Sequence, residues 1–337
     1  MGLFNKIKNV FSKDKEAAKY EEGLTKTRKE FSTELAKLSK KYKNIDDDYY
    51  FFSNGNMYVF KLFHGNPDNI RDIYNLNLYM ANYVNVDRII LNKDNNIVTA
   101  VNNSLYILIL TIEKNKKIRL STISNLSLIK IPNIKSLERN SWEILWGNLV
   151  DYYETQIGQN EKKYPLIRES FDYYVGMAEN AISYVVNTKR ETTPDENDSK
   201  VIAHNNLYCS LFDPLNIIFD HKSRDLAEYI KLSFFNNDED IFEKLDEHFY
   251  YNKFSLYGIR ILFARILYPS FYFKLYDEII RGKKDEKELN YIINNVDRYE
   301  IFLYSVYLYL NKYYSIPEIE WLKKRGFDSR LDINFHL

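Results

Sequence analysis

The stretch Val201-Ile202-Ala203-His204-Asn205-Asn206-Leu207, continued by Asp213-Pro214-Leu215-Asn216-Ile217-Ile218-Phe219-Asp220-His221 and Arg224-Asp225-Leu226-Ala227-Glu228, decides how the whole chain is read. The second apolar run, Ile217-Ile218-Phe219, reads as a strand with Asp220 at its end, while His204-Asn205-Asn206 reads as part of a loop. Asp225 stands at a helix start, where a carboxylate can accept from free backbone NH groups. An amide cannot take up a proton at neutral pH, so Asn206 offers no general base. Asn216 lies only four residues before Asp220, a spacing expected to put both on one strand.

Outward from this stretch the chain changes texture twice. Before it, Tyr49 to Phe52, Ser53-Asn54-Gly55-Asn56 and Met57 to Phe63 read as a hairpin about an Asn-Gly turn. A helix over Asp68 to Tyr83 and three strands, Val86 to Leu91, Ile97 to Val101 and Leu105 to Ile112, follow. Beyond Ser136 the spacing is helical, with long helices expected over Trp142 to Gly158 and Ile167 to Asn187. Thr188 to Lys200 reads as a mobile polar loop. Further helices are expected around Leu226 to Phe235, Ile241 to Tyr250, Leu256 to Ile280, Glu286 to Val296 and Tyr299 to Tyr314. Strands first and helices after indicate an α+β protein.

Residues 1–45 form a separate head. Leu3, Phe4, Ile7, Val10 and Phe11 share a helical face flanked by Lys6, Lys8, Lys13 and Lys15. That pattern suits a helix lying on an anionic membrane through residues 1–15, or equally a first helix docked on its own domain. The head resembles the N-terminus of the bacterial signal recognition particle receptor, but the chain has no GxxxxGK[ST] and its 10 glycines are dispersed. The receptor's GTPase function therefore does not carry over.

Composition narrows the classes further. With 47 basic and 47 acidic residues in 337, the chain has no net charge to draw it to nucleic acid. Aromatics reach 16%, but with abundant Asn, Lys and Ile they reflect an AT-rich genome more simply than base stacking. Cys209 is alone, which excludes an internal disulfide and a thiolate zinc site and suits a reducing cytoplasm. No apolar run is long enough to span a membrane, and no secretory signal is expected at the start.

On His204, Asn206, Asp220 and Asp225-Leu226-Ala227, with Leu262-Phe263-Ala264-Arg265-Ile266-Leu267-Tyr268-Pro269 and Ile316-Pro317-Glu318-Ile319, the chain resembles the aminoglycoside phosphotransferase and choline kinase superfamily. Within it, the nearest likeness is to the kinase-like spore coat proteins of the CotS/YutH group, from about residue 50 onward. The resemblance implies a two-lobed protein-kinase-like fold, with a small strand-rich lobe over 46–135 and a helical lobe over 136–337. It also implies roles: His204 structural, Asn206 where the catalytic base belongs, Asp220 on magnesium and Asp225 in the closing motif. Lys61 stands on a strand where the phosphate-binding lysine could sit, with only Asp68 and Asp72 on the next helix to tether it. A solvated strand lysine is the simpler account of Lys61, as a hydrogen-bonded structural histidine is of His204.

Three functions remain on these residues. The first is a degenerate kinase-like scaffold or binding module that requires no cofactor and has protein or spore-envelope partners. The second is an active small-molecule kinase using Mg-ATP, with Asp220 on the metal and Asp213 as an alternative base. The third is a membrane-associated targeting component without GTPase activity.

Overall fold

The computed structural model describes residues 48–101, 103–112, 118–160, 163–207 and 211–325. The head expected over residues 1–45 lies outside the described residues, as does Cys209. Two compact units divide the chain. The smaller takes the chain up to Lys117 together with Ile134–Leu137 and Phe212–Asn216; the rest belongs to the larger.

The smaller unit is an antiparallel sheet with one helix. Strands β1 (Tyr49–Ser53) and β2 (Asn56–Leu62) form the expected hairpin, with Tyr49 opposite Phe60 and Ser53 opposite Asn56. Its turn needs two successive positive φ angles, which Asn54 (51°) and Gly55 (77°) supply. The next helix begins later than the sequence suggests. Pro67–Asn69 forms a 3-10 turn capped by Asn66, and α1 runs over Ile70–Met80, burying Ile73, Leu76 and Met80. Strand β5 (Ser104–Thr111) is central, with β2 on one edge and β3 (Arg88–Ile90) and β4 (Val98–Val101) in turn along the other. Asn92 shapes the corner before β4: its Oδ1 accepts from the NH groups of Asp94 and Asn96, and its Nδ2 donates to the Val98 carbonyl. One face packs Tyr58, Phe60, Ile90, Leu108 and Leu110 into a core.

The larger unit builds helices around a two-stranded ladder. Strands β6 (Lys200–His204) and β7 (Ile217–His221) pair antiparallel, with Lys200 opposite His221 and His204 opposite Ile217. Glu138 adds a parallel bridge to Phe219, whose carbonyl accepts from the Arg139 NH at 2.8 Å. Helix α2 (Leu120–Ser127), which the sequence reading did not include, precedes α3 (Trp142–Asn160) and α4 (Pro165–Glu191). After the ladder come α5 (Ser223–Phe235), α6 (Ile241–Tyr251), α7 (Leu256–Leu267), α8 (Ser270–Ile280), α9 (Leu289–Ile293) and α10 (Val296–Asn311). Helix α7 packs against α4, α5 and α10, so Ile259, Ile261, Leu262, Phe263, Ala264, Ile266 and Leu267 are all fully buried. A helix apolar on nearly every side belongs at the centre of a unit, and α7 occupies that place.

Two expectations are corrected here. Leu256 to Ile280 is not one helix: it breaks at Tyr268-Pro269, where proline has no NH for the helical ladder. The carbonyls freed at the end of α7 are capped by the fully buried Lys231, whose Nζ donates to Arg265 O (3.0 Å) and Tyr268 O (3.1 Å). Nor is Thr188 to Lys200 a mobile loop. Helix α4 runs through Glu191, and Asp195 and Asp198 then close a reciprocal capping box around a 3-10 turn. Asp198 anchors that turn by accepting from Ser255 Oγ (2.8 and 2.7 Å). It also pairs with His221 Nε2 at 3.1 Å. Because the Ser223 NH donates to His221 Nδ1, the ring proton sits on Nε2 and points at Asp198. Among the described residues no helix is long and apolar enough to cross a membrane.

Candidate functional site

In the smaller unit, β2 carries Lys61 and the segment before β7 carries Asp213. The Lys61 ammonium donates to Asp213 Oδ2 at 2.6 Å, with Asp213 the more buried of the two. Asp213 Oδ1 accepts from the Leu215 NH at 2.9 Å, so both of its oxygens are engaged. Asp72, one of the two acids offered as a tether for Lys61, instead accepts from Ser136 Oγ at 2.6 Å. A buried third acid, Asp87, was not among the expected residues. Its Oδ1 accepts from the Ile112 NH (3.0 Å), and its own NH donates to the Phe212 carbonyl (3.1 Å). Burial, helped by the negative charge of Asp213, pushes the Asp87 carboxyl up to about 6, against the pull of the Ile112 NH and Lys61.

In the larger unit, β6 ends in His204, which is fully enclosed by acceptors. Its Nδ1 lies 2.6 Å from Asp225 Oδ2 and its Nε2 lies 2.9 Å from the Leu211 carbonyl. Asp225 Oδ1 also accepts from the His204 NH at 3.1 Å, which ties the end of β6 to the first turn of α5. With both ring nitrogens directed at protein oxygens, neither is open to a substrate. Asn206, at the base position, is partly buried, and Lys274 Nζ approaches its Oδ1 at 3.5 Å.

Asp220, expected to hold magnesium, lies on β7 with 0% exposure. Its Oδ1 accepts from the His221 NH (2.7 Å) and Arg265 Nη2 (3.0 Å). Its Oδ2 accepts from Trp142 Nε1 (3.1 Å), Arg224 Nη1 (3.1 Å) and Arg265 Nη2 (3.1 Å). A carboxylate has about four lone-pair sites, and all are taken. The residues present therefore do not fit a magnesium ion at Asp220, because two cations and two neutral donors already stand where the metal would bond. Among the described residues no group of three or more His, Cys, Asp or Glu could hold a metal.

Three residues that hold Asp220 were not read as functional from the sequence. Arg224 follows it at i+4, in the first turn of α5, and also donates to the carbonyls of His204 (2.6 Å) and Asn205 (3.0 Å). Arg265 arrives from buried α7 and stacks 3.8 Å from the Trp142 ring centre. Burial draws the Arg265 guanidinium down to about 10, while the charge of Asp220 works to hold its proton. Trp142 is buried and spends its NH on Asp220. An arginine inside an apolar run was the available signal, since a buried guanidinium requires a counter-ion.

Comparison with known proteins places this geometry in a lineage. A family model described as "spore coat putative kinase YutH" matches residues 36–306. The endospore coat-associated protein YutH of Bacillus subtilis (strain 168) is 31% identical over 208 residues, 54% of this chain and 61% of that protein. The match thus spans less than two thirds of that relative's length. Among solved structures, an aminoglycoside phosphotransferase from Alicyclobacillus acidocaldarius aligns over 82% of this chain and 96% of its own, with a TM-score of 0.53 at 12% identity. That likeness establishes a kinase-like phosphotransferase fold, as expected from the sequence. A spectinomycin phosphotransferase aligns over 84% of this chain and 89% of its own, with a TM-score of 0.46 at 14% identity.

Proposed function

The chain belongs to the spore coat putative kinase YutH family, and from that premise we propose that it is a kinase-like component of the spore coat that binds or organises partners without transferring phosphate. The observation that carries this reading is the enclosure of Asp220 by Arg224, Arg265 and Trp142. Phosphoryl transfer asks for a metal ion held by carboxylates, a lysine on the phosphates and a carboxylate beside the acceptor hydroxyl. Here Asp220 bonds arginines, Lys61 bonds Asp213, and Asn206 stands in the third place. Loss of a base alone lowers a rate by roughly 10²–10⁴, and the other two changes compound it.

The reading is tested by incubating the protein with Mg-ATP and a panel of hydroxyl acceptors. No phosphate transfer above a protein-free control is expected. Transfer that disappears in Asp220→Asn would establish an active phosphotransferase instead. That alternative requires Lys61 to leave Asp213 and Asp220 to leave two arginines before catalysis. Partners in the spore envelope, and attachment of residues 1–15 to an anionic membrane, belong to the same proposal. Flotation with anionic liposomes tests the second: full-length protein should float, and protein lacking residues 1–15 should stay in the soluble fraction.

A further inference from the structure

A cavity of about 480 Å³ opens in the larger unit, within the range of about 300–1,000 Å³ that holds small-molecule ligands. None of its lining residues bonds Asp220, His204 or Lys61. Helix α4 makes one wall: Asn180, Ser183, Asn187 and Glu191 recur at three- and four-residue spacing and so share a face. Segment 316–325 makes the facing wall with Ile319, Glu320, Trp321 and Lys324. It is fastened there by buried Leu322 and by the Tyr184 hydroxyl, which donates to the Pro317 carbonyl at 3.0 Å. Arg260 reaches the cavity from α7 with its side chain 5% exposed.

The lining is balanced in charge. Arg260 pairs with Glu191 at 2.7 Å and Glu318 with Lys323 at 2.8 Å, which leaves Glu320 and Lys324 to offset one another. Its hydrogen-bonding capacity is not used up. Of four buried side-chain atoms without a partner among the described residues, two belong to this cavity's walls, Arg260 Nε and Trp321 Nε1. Asn187 accepts through Oδ1 from Arg190 (3.1 Å) and keeps its amide donors. Asn180 donates to the Gly176 carbonyl (2.7 Å) and keeps its oxygen. Ser183, exposed on α4, can both donate and accept. A buried NH without an acceptor is unfavourable, and a guest that brings oxygen between the walls, toward which either side chain can turn, relieves it.

We propose that this cavity binds a neutral saccharide, with a sugar ring against Trp321 and its hydroxyls shared among Arg260, Asn180, Ser183 and Asn187. A sugar hydroxyl donates and accepts at once, which matches a wall where donors and acceptors are mixed along one helix face. The CH face of the ring supplies apolar surface for Trp321 and Ile319 to cover. Net charge on the ligand is disfavoured. A phosphate or carboxylate would stand beside Glu191, Glu318 and Glu320, and an ammonium beside Arg260 and Lys324. A purely apolar guest would strand the amides and the guanidinium. The site is separate from the Asp220 cluster, so saccharide binding stands or falls whatever a phosphate-transfer assay gives.

The experiment is calorimetric titration of the full chain with glucose, galactose, N-acetylglucosamine, maltose and cellobiose, beside glucuronate and glucosamine as charged counterparts. Saturable binding of at least one neutral sugar is expected, with affinity insensitive to ionic strength and above that of either charged sugar. Trp321→Ala should weaken it roughly tenfold or more, through loss of the ring that packs the sugar. Asn187→Ala should weaken it about two- to tenfold, the share of one hydrogen bond. Ser183→Tyr, which places bulk in the cavity from an exposed helix position, should abolish binding while the melting temperature holds. A melting temperature measured for each variant separates lost binding from lost folding. No saturable binding by any neutral sugar, or tighter binding of glucuronate or glucosamine, would overturn the proposal. So would parental affinity in both Trp321→Ala and Ser183→Tyr, which shows that the sugar sits elsewhere.

Discussion

Replacing Asp220 by alanine would leave Arg265, 5% exposed, and Arg224 without their shared counter-ion. Breaking a buried ion pair from one side costs about 3–5 kcal/mol, so Asp220→Ala should lower the unfolding free energy by that order in urea. A metal ligand waiting at an open cleft would give the opposite result, little change or a gain. Asp87 gives a second prediction at this scale. Its carboxyl titrates at about 6 in the fold against 3.8 when unperturbed. The unfolded state therefore loses its proton first, so this group's contribution falls as pH rises from about 4 to about 6 and stays low above. Asp87→Asn keeps an oxygen for the Ile112 NH and should be more stable than the parent by about 1–3 kcal/mol at pH 7. The difference should vanish near pH 4. His248, drawn down to about 4 chiefly by burial, has the opposite sign in an overlapping window, so parent and variant must be compared at each pH. None of these pairings was legible in the sequence. Lys61 and Asp213 are 152 residues apart, Asp220 and Arg265 are 45 apart, and no local period records either contact.

At the scale of elements, the corner between α7 and α8 depends on one buried cation. Lys231 donates to the carbonyls of Arg265 and Tyr268 and to Ser270 Oγ (2.6 Å), while Glu228 balances its charge. Lys231→Met should destabilise by about 3–5 kcal/mol, since it strands Glu228 and the two carbonyls. Lys231→Met combined with Glu228→Gln should recover part of that loss in the same denaturant titration. The turn at Asp195–Asp198 depends on Asp198 in a similar way. Asp198→Ala releases Ser255, His221 and the Asp195 NH, and should turn the segment after Glu191 into a protease-sensitive site, read by the position of the first cut. The Asn54-Gly55 hairpin was legible because the turn dictates its own residues. Helix α2 was not: Leu120-Ser-Thr-Ile-Ser-Asn-Leu-Ser127 is short and rich in weak helix formers, and packing of Leu120, Ile123 and Leu126 decides it. The break at Pro269 had a local signal, which the continuous apolar run around it concealed.

Across the whole molecule, balanced charge sets solution behaviour. With a formal net charge of 0 at pH 7, the protein should be least soluble near neutrality. Precipitation by polyethylene glycol should require more polymer at about pH 9 than at about pH 7, because net charge then keeps molecules apart. The division into strands first and helices after was legible from hydrophobic periodicity, since each pattern runs for many residues. The assignment of Phe212–Asn216 to the smaller unit was not, because nothing in that short segment distinguishes it from its neighbours. That return of the chain has a consequence for synthesis. A nascent protein emerges from its N-terminus. Strands β1–β5 and helix α1 leave the ribosome long before the Phe212 carbonyl that receives the Asp87 NH and the Asp213 carboxylate that receives Lys61. Completion of the smaller unit must therefore wait until translation has passed Asn216, and a ribosome stalled just beyond β5 would carry a sheet still missing its last partners.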